Sequence, residues 1–282
     1  MPGKSIISIV AAMLVFTGCA PRMQEPMWVC PGKESTTEAL SILRSRSQNT
    51  VPMKANGQFL LKYYAEGKPY KENFPVKLWV NPPNRIRLQG DVAFNPKGIM
   101  LGSNEDEFWL VMKPKEIRSY FWGQWAEGNC LEKMMISPEL VLEALGIVEV
   151  SGEEDWSLSN EGVFDILTKR NEQNGVIKKM YVYSCDYLVR RIEYFDANGQ
   201  ALVIAELGKY KQVSEGFFVP AVIKIVRRTD GDSEDSFKIT LGSVKPVNFS
   251  EKQKRLIFTR PKPQGFKHIY KIIDGEMIEQ PQ

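Results

Sequence analysis

Val76-Lys77-Leu78-Trp79-Val80-Asn81-Pro82-Pro83-Asn84-Arg85-Ile86-Arg87-Leu88-Gln89 holds two period-two runs with a turn between them. In an extended chain successive side chains point to opposite faces. Val76, Leu78 and Val80 therefore share one face, with Lys77 and Trp79 on the other, and Ile86 and Leu88 alternate with Arg85, Arg87 and Gln89. Pro82, Pro83 and Asn84 supply turn chemistry, so the stretch reads as a hairpin of two antiparallel strands. Upstream, residues 58–64 carry the same strand-length pattern, and downstream so do 98–102, 107–113 and 116–122, the last two joined through Pro114 and Lys115.

A second series follows at 163–170, 176–184, 188–196, 201–213, 218–228 and 236–246. Asp196-Ala197-Asn198-Gly199 and Asp230-Gly231-Asp232 are turns between members of this series. Strands this close together, without helices between them, pair antiparallel rather than through βαβ crossovers. Two helices interrupt them. Residues 36–46 place Ala39, Leu40, Ile42 and Leu43 at helical spacing behind a cap at Ser35 or Thr36. Ser137, Pro138 and Glu139 open the second helix, Leu140, Val141, Leu142 and Leu145 form its apolar stripe, and Gly146 stops it. No linker separates domains between Val148 and Trp156. The expectation is a mainly β fold: one curved antiparallel sheet with a few helices, forming a single domain over residues 35–282.

The composition narrows the function. Among 282 residues, 37 are basic and 34 acidic, a net charge of +3 that does not argue for nucleic acid. A mean hydropathy of -0.28 excludes a polytopic membrane protein, and one histidine excludes a multi-histidine metal site.

The amino terminus is an address. Lys4 precedes the eleven-residue apolar run from Ile6 to Phe16, which as a helix spans only about 17 Å of a ~30 Å hydrocarbon core. It suits a signal peptide, and Thr17-Gly18-Cys19 resembles the lipobox of bacterial lipoproteins. That resemblance implies removal of residues 1–18, a diacylglycerol on the Cys19 sulfur and acylation of the new amino group. The alternative is an ordinary secretory peptide. Ala20, in place of the retention aspartate, implies the outer membrane. Residues 19–34, with Pro21, Pro26 and Pro31, form a tether. Three cysteines remain, allowing at most one bridge; Cys185 reads as lying inside a strand, which favours Cys30 with Cys130.

No constellation points to catalysis. There is no P-loop, G-x-S-x-G, H-E-x-x-H or EF-hand loop. His268 reads as a surface histidine; Glu153-Glu154-Asp155 and the acids Asp230, Asp232, Glu234 and Asp235 read as solvated turns, with Arg227 and Arg228 opposite the second group. No catalytic residue, cofactor or metal is expected. The informative feature is the density of Trp79, Phe94, Phe108, Trp109, Tyr120, Phe121, Trp122 and Trp125. Phe108, Leu110 and Met112 face one way, Trp109 and Val111 the other. Either a core lies on one side and a covering helix on the other, or a curved sheet shelters an apolar cavity. Alternation selects Leu78, Val80, Ile86, Leu88, Phe108, Leu110 and Met112 as its lining.

Pro83-Asn84-Arg85-Ile86-Arg87-Leu88, the loop 91–97, Gly98-Ile99-Met100-Leu101 and Phe108-Trp109-Leu110 resemble the LolA/LolB-type periplasmic carrier and receptor of outer-membrane lipoproteins. Residues 118–123 match the family's tyrosine strand, and Phe258, Pro261, Pro263, Gly265 and Phe266 resemble its terminal segment. The likeness covers most of 36–270, although the chain is longer than carrier or receptor and 162–213 is unusually charged. It implies an open half-barrel of about eleven antiparallel strands, with helices as a lid over a cavity for acyl chains. It also implies an exposed apolar residue on the loop 91–97; Phe94 is the candidate, either entering lipid or packing on the sheet edge. The expected function is that of a monomeric, lipid-anchored envelope protein that binds an acyl chain or lipoprotein without covalent chemistry. The alternatives are a scaffolding lipoprotein with a filled core that binds another envelope protein, and a hydrolase using the acidic loops.

Overall fold

The structure, a computed structural model, describes residues 28–65, 67–92, 95–114, 117–127, 134, 136–148, 150–228 and 234–281. Helix α1 (Thr36–Gln48) leads into six strands: β1 (Met53–Ala65), β2 (Lys68–Asn81), β3 (Arg85–Val92), β4 (Asn95–Ser103), β5 (Glu107–Met112) and β6 (Ser119–Gln124). Helix α2 (Pro138–Ala144) separates them from β7 (Trp156–Glu161), β8 (Phe164–Arg170), β9 (Val176–Tyr183), β10 (Val189–Phe195), β11 (Ala201–Ser214), β12 (Phe217–Arg228) and β13 (Glu234–Pro246). Helix α3 (Glu251–Ile257) precedes β14 (His268–Ile273) and β15 (Glu276–Glu279). The hairpin forms in the register its pattern requires, Leu78 opposite Leu88 and Val80 opposite Ile86, around a cis Pro82–Pro83 bond.

All these strands join one open sheet, ordered β15-β14-β6-β5-β4-β3-β2-β1-β13-β12-β11-β10-β9-β8-β7. The count is 15 rather than about eleven. Strands β7, β14 and β15 had no expected counterpart, and each lacks the alternation that marks a half-buried strand. Only Trp156 of β7 is buried, β15 is exposed throughout, and β14 buries Ile272 alone. Strand β14 also departs from antiparallel pairing: it runs parallel to β6, Tyr270 beside Phe121. The segment 247–267, including α3, gives the chain the length that a parallel return requires.

The sheet curls. Strands β4 and β9 stand eight places apart in it, which in a flat sheet is about 38 Å at 4.8 Å per strand. Yet α2, seven residues long and so only about 10 Å, packs on β4 and holds Lys178 of β9 through Glu143 at 2.7 Å. Only a sheet wrapped round the helix brings both within reach. Phe237, Phe59 and Phe74 stack along β13, β1 and β2 at 5.6 and 5.1 Å between rings. This aromatic ladder adds about 0.5–1.5 kcal/mol per pair to the burial itself.

The two faces of the sheet have different covers. The helix side carries one continuous apolar cluster that includes Ala39, Leu40 and Leu43 of α1 and Leu140, Val141 and Leu142 of α2. On the other side a small cluster gathers Met100, Trp109, Val111, Tyr120 and Phe266. Its cover is the C-terminal segment rather than a helix. Arg87 donates to the Ile257 carbonyl at 2.9 Å, Tyr120 to that of Pro261 at 2.6 Å and Arg118 to that of Gly265 at 3.1 Å. Arg260 lies 4.1 Å above the Trp122 ring, and Gly102 leaves the space that the Trp109 indole fills, since a Cβ there would stand 2.5 Å from it.

The disulfide joins Cys30 to Cys185, correcting the expected Cys30–Cys130 pair; Cys130 lies outside the described residues. Cys185 sits in the turn between β9 and β10, not in a strand, where its side chain is free of the ladder's alternation. The bridge pins the start of the described chain to that turn. Arg46, at the end of α1, donates to the carbonyls of Tyr187 and Asp186 in the same turn at 2.7 and 2.6 Å. The acidic stretch at 153–155 has a structural use as well: Glu153 accepts from Thr37 at 2.5 Å and pairs with Arg44 at 3.1 Å, holding α1.

Candidate functional site

The site is built on α2. The Ser137 hydroxyl accepts from the Leu140 amide at 3.1 Å, Pro138 occupies the first turn, and Gly146 ends the helix at φ +72°. Leu140, Val141, Leu142 and Ala144 are all buried, so the helix is enclosed on more than one side. A helix apolar nearly all round belongs inside a structure. Glu139 and Glu143 are its only polar residues, and at i,i+4 spacing they share a face.

Two cavities flank this helix. One, of about 240 Å³, lies between α2, α1 and the strands β7 to β12, with Leu43, Leu145, Met180, Leu207 and Phe217 among its apolar walls. The other, of about 600 Å³, lies between α2, the end of α1 and the β2–β3 turn, bounded by Leu142, Ile147, Trp125 and Pro83. Glu139 and Val148 line both. The larger volume is that of a small-molecule site, while the smaller cavity lies just below that range and mixes apolar walls with charged and hydroxyl groups.

The polar groups converge from separate elements. Glu143 pairs with Lys178 at 2.7 Å and accepts a hydrogen bond from the Tyr194 hydroxyl, while the Lys178 ammonium lies 5.0 Å over the Tyr194 ring. Burial, reinforced by Glu143, pushes the Tyr194 hydroxyl well above its ordinary range, so it stays a neutral donor. Tyr210 donates to the Val189 carbonyl and is likewise raised, mainly by burial. Glu139 differs from these. Its Oε2 is buried and has no hydrogen-bond partner among the described residues. Burial, then the charge of Glu143, raises its pKa against the opposing pull of Lys178.

The expected lining residues are brought together but not around these cavities. Leu78, Val80, Ile86, Leu88, Phe108, Leu110 and Met112 all lie on the helix side in the main cluster, none more than 1% exposed. None of them borders either cavity beside α2; they pack against one another under the helix. Cys19 and Phe94 lie outside the described residues. His268 sits on β14, 2.8 Å from Glu279. The polar set was not singled out for a site in the sequence, although the two acids of an otherwise apolar α2 carried a signal. Lys178 and Tyr194, on β9 and β10, are brought to that helix only by the curl of the sheet.

A wide sheet curled round a short apolar helix, with hollows beside it, defines an open half-barrel. It is similar to three solved structures, each with 11% sequence identity. One is described as a domain of an outer membrane lipoprotein-sorting protein from Vibrio parahaemolyticus (TM-score 0.53, covering 78% of this chain and 97% of that one). The second is a DUF1329 family protein from Desulfovibrio piger (TM-score 0.50, 78% and 96%). The third is a LolA superfamily protein from Nitrosomonas europaea (TM-score 0.50, 81% and 99%). No protein-family model matches the sequence, and no curated protein does. The fold of this chain is LolA-like.

Proposed function

We propose that this protein is a lipid-anchored component of a bacterial envelope that holds an acyl chain, free or carried by a lipoprotein, in the hollow beside α2, and that it performs no covalent chemistry. The observation that carries the reading is the pair of cavities flanking a buried helix, with apolar walls and a shared carboxylate. Partitioning supplies the energy: each methylene buried contributes about 0.8 kcal/mol, so a long chain is held firmly yet leaves when α2 shifts. Acylation at Cys19 gives the membrane attachment, in the outer membrane by the lipobox resemblance. The LolA-like fold supports the reading, since one neighbour is described as a lipoprotein-sorting domain.

The test is mass spectrometry of lipids that accompany the purified protein, paired with a variant that fills the hollow. Ala144 is buried and borders the smaller cavity, so Ala144→Leu should cut acyl-probe binding while the fold persists. Absence of both co-purified lipid and probe binding overturns the proposal. The tightly packed cluster around Leu110 favours a second reading, a scaffold that binds another envelope protein. On that reading Ala144→Leu changes nothing and the partner binds without lipid.

A further inference from the structure

Resting on that reading, we infer that Glu139 is the recognition point for the polar end of the bound amphiphile, and that this end carries N–H donors, as an ammonium or an amide does, rather than a carboxylate. Glu139 is the polar side chain common to both cavities. It projects from a helix otherwise occupied with apolar packing, and its Oε2 is buried without a partner among the described residues. The other charged groups on the smaller cavity are engaged. Glu143 is held by Lys178 and Tyr194, Arg46 by two backbone carbonyls, and Lys169 lies 3.9 Å from Asp155.

A buried acceptor without a donor is unfavourable, and a ligand that brings one removes that penalty. A buried carboxylate takes a charge-assisted bond from nitrogen especially well. The local charge points the same way: of the cations on the smaller cavity, Arg46, Lys169 and Lys178, only Lys178 acts on Glu139, and it is shared with Glu143, so an added anion at Glu139 would be repelled where a cation or a neutral N–H is welcomed. The apolar walls on either side of α2 take the chain, and the carboxylate between the hollows takes its head.

Two kinds of amphiphile share this chemistry, a lipid with an amino headgroup and a chain held in amide linkage. Calorimetric titration of the full chain with dodecylamine, N-methyldodecanamide and dodecanoate separates them. Dodecylamine or the amide should bind at least about tenfold tighter than dodecanoate, a difference of about 1.4 kcal/mol. Preference for the amine marks an ammonium headgroup, and preference for the amide marks an amide-linked chain. Glu139→Gln should bring dodecylamine and dodecanoate to within about threefold with the far-UV spectrum unchanged, whereas Glu139→Asp, which keeps the charge, should retain the ranking. An unchanged ranking in Glu139→Gln, or tighter binding of dodecanoate to the unaltered protein, overturns the role of Glu139 but leaves the acyl-chain reading standing. Failure of all three probes to bind overturns both.

Discussion

The two halves of the sheet treat the space beneath the helices differently. Under β2, β3 and β5 the side chains are aliphatic or phenyl, Leu78, Val80, Ile86, Leu88, Phe108, Leu110 and Met112, and they close on one another completely. The larger hollow touches this half only at its rim, at Pro83, Asn84, Glu105 and Trp125. Under β9 to β12 the wall includes Lys178 and Tyr210, each bonded to an acceptor, and the smaller hollow remains open. Apolar side chains have no directional requirement and settle into whatever close packing the backbone permits. A tyrosine or lysine tied to a named acceptor cannot slide inward to fill a gap. The polar half is therefore held open by its own hydrogen bonds.

The sharpest way to break this contrast is to truncate one apolar side chain in each half. Phe108→Ala removes a ring fully enclosed in the dense half, and its destabilisation should be about 3–5 kcal/mol by denaturant titration. Leu207 borders the existing hollow, so Leu207→Ala should fall near the low end for such changes, about 2 kcal/mol. Equal losses would mean that the hollow half is as tightly packed as the other. Next in size is the disulfide, which belongs to the hollow half alone. The Cys30→Ser, Cys185→Ser double variant opens a link across 155 residues and should lower stability by about 2–4 kcal/mol. Amide exchange should rise first in the β9–β10 turn and in the end of α1 that Arg46 ties to it, with β2 and β3 unaffected. Uniform loss of protection across the sheet would show that the bridge serves both halves.

Legibility in the sequence followed the same division. The dense half could be read because its residues obey local alternation: the seven residues chosen by period two all landed in one buried cluster, and Ser35, Ser137 and Gly146 mark helix ends as their chemistry requires. In the hollow half the strands β8 to β13 could be read as well, but the polar set that lines the hollow could not. Lys178 shares a strand face with Val176 and Met180, on a strand whose faces are both partly covered, but nothing local says that a helix 35 residues earlier will supply its partner. Cys185 was misplaced because the gap between the runs 176–184 and 188–196 is only three residues long, and the turn that frees it fills that gap. Strands β14 and β15 escaped notice because a parallel return to β6 and an exposed edge leave no periodic trace.

The ion pair that props the hollow gives a smaller effect. Lys178→Met leaves Glu143 with the Tyr194 hydroxyl alone and next to Glu139. Because the pair keeps some contact with solvent, 20% for the lysine side chain and 9% for the glutamate, the loss should be about 2 kcal/mol at neutral pH, below that of a sealed pair. The equivalent loss of Lys224 from its pair with Glu206, where both side chains are about half exposed, should lie within about 0.5 kcal/mol of zero. A fully tolerated Lys178→Met would mean that the Glu143 carboxylate is solvated and props nothing.

The smallest effect is the most specific to the hollow. Burial, then the neighbouring Glu143, holds the Glu139 carboxyl above its ordinary value of 4.5. A carboxyl whose folded value exceeds its unfolded one binds its proton more tightly in the folded chain. The stability it contributes is present in full below the unfolded value and is lost as the pH rises through the folded one. Glu139→Gln has no proton to lose and escapes that decline. The variant and the unaltered protein should therefore melt together near about pH 4, and the variant should melt higher at about pH 7.5. Asp235, whose pKa burial also raises, is present in both proteins and cancels from the difference. Parallel melting curves across the whole range would place the Glu139 carboxylate in water. A variant less stable at neutral pH would mean that the carboxylate already has a favourable partner in the folded chain, and the hollow would then have no vacant acceptor to offer a ligand.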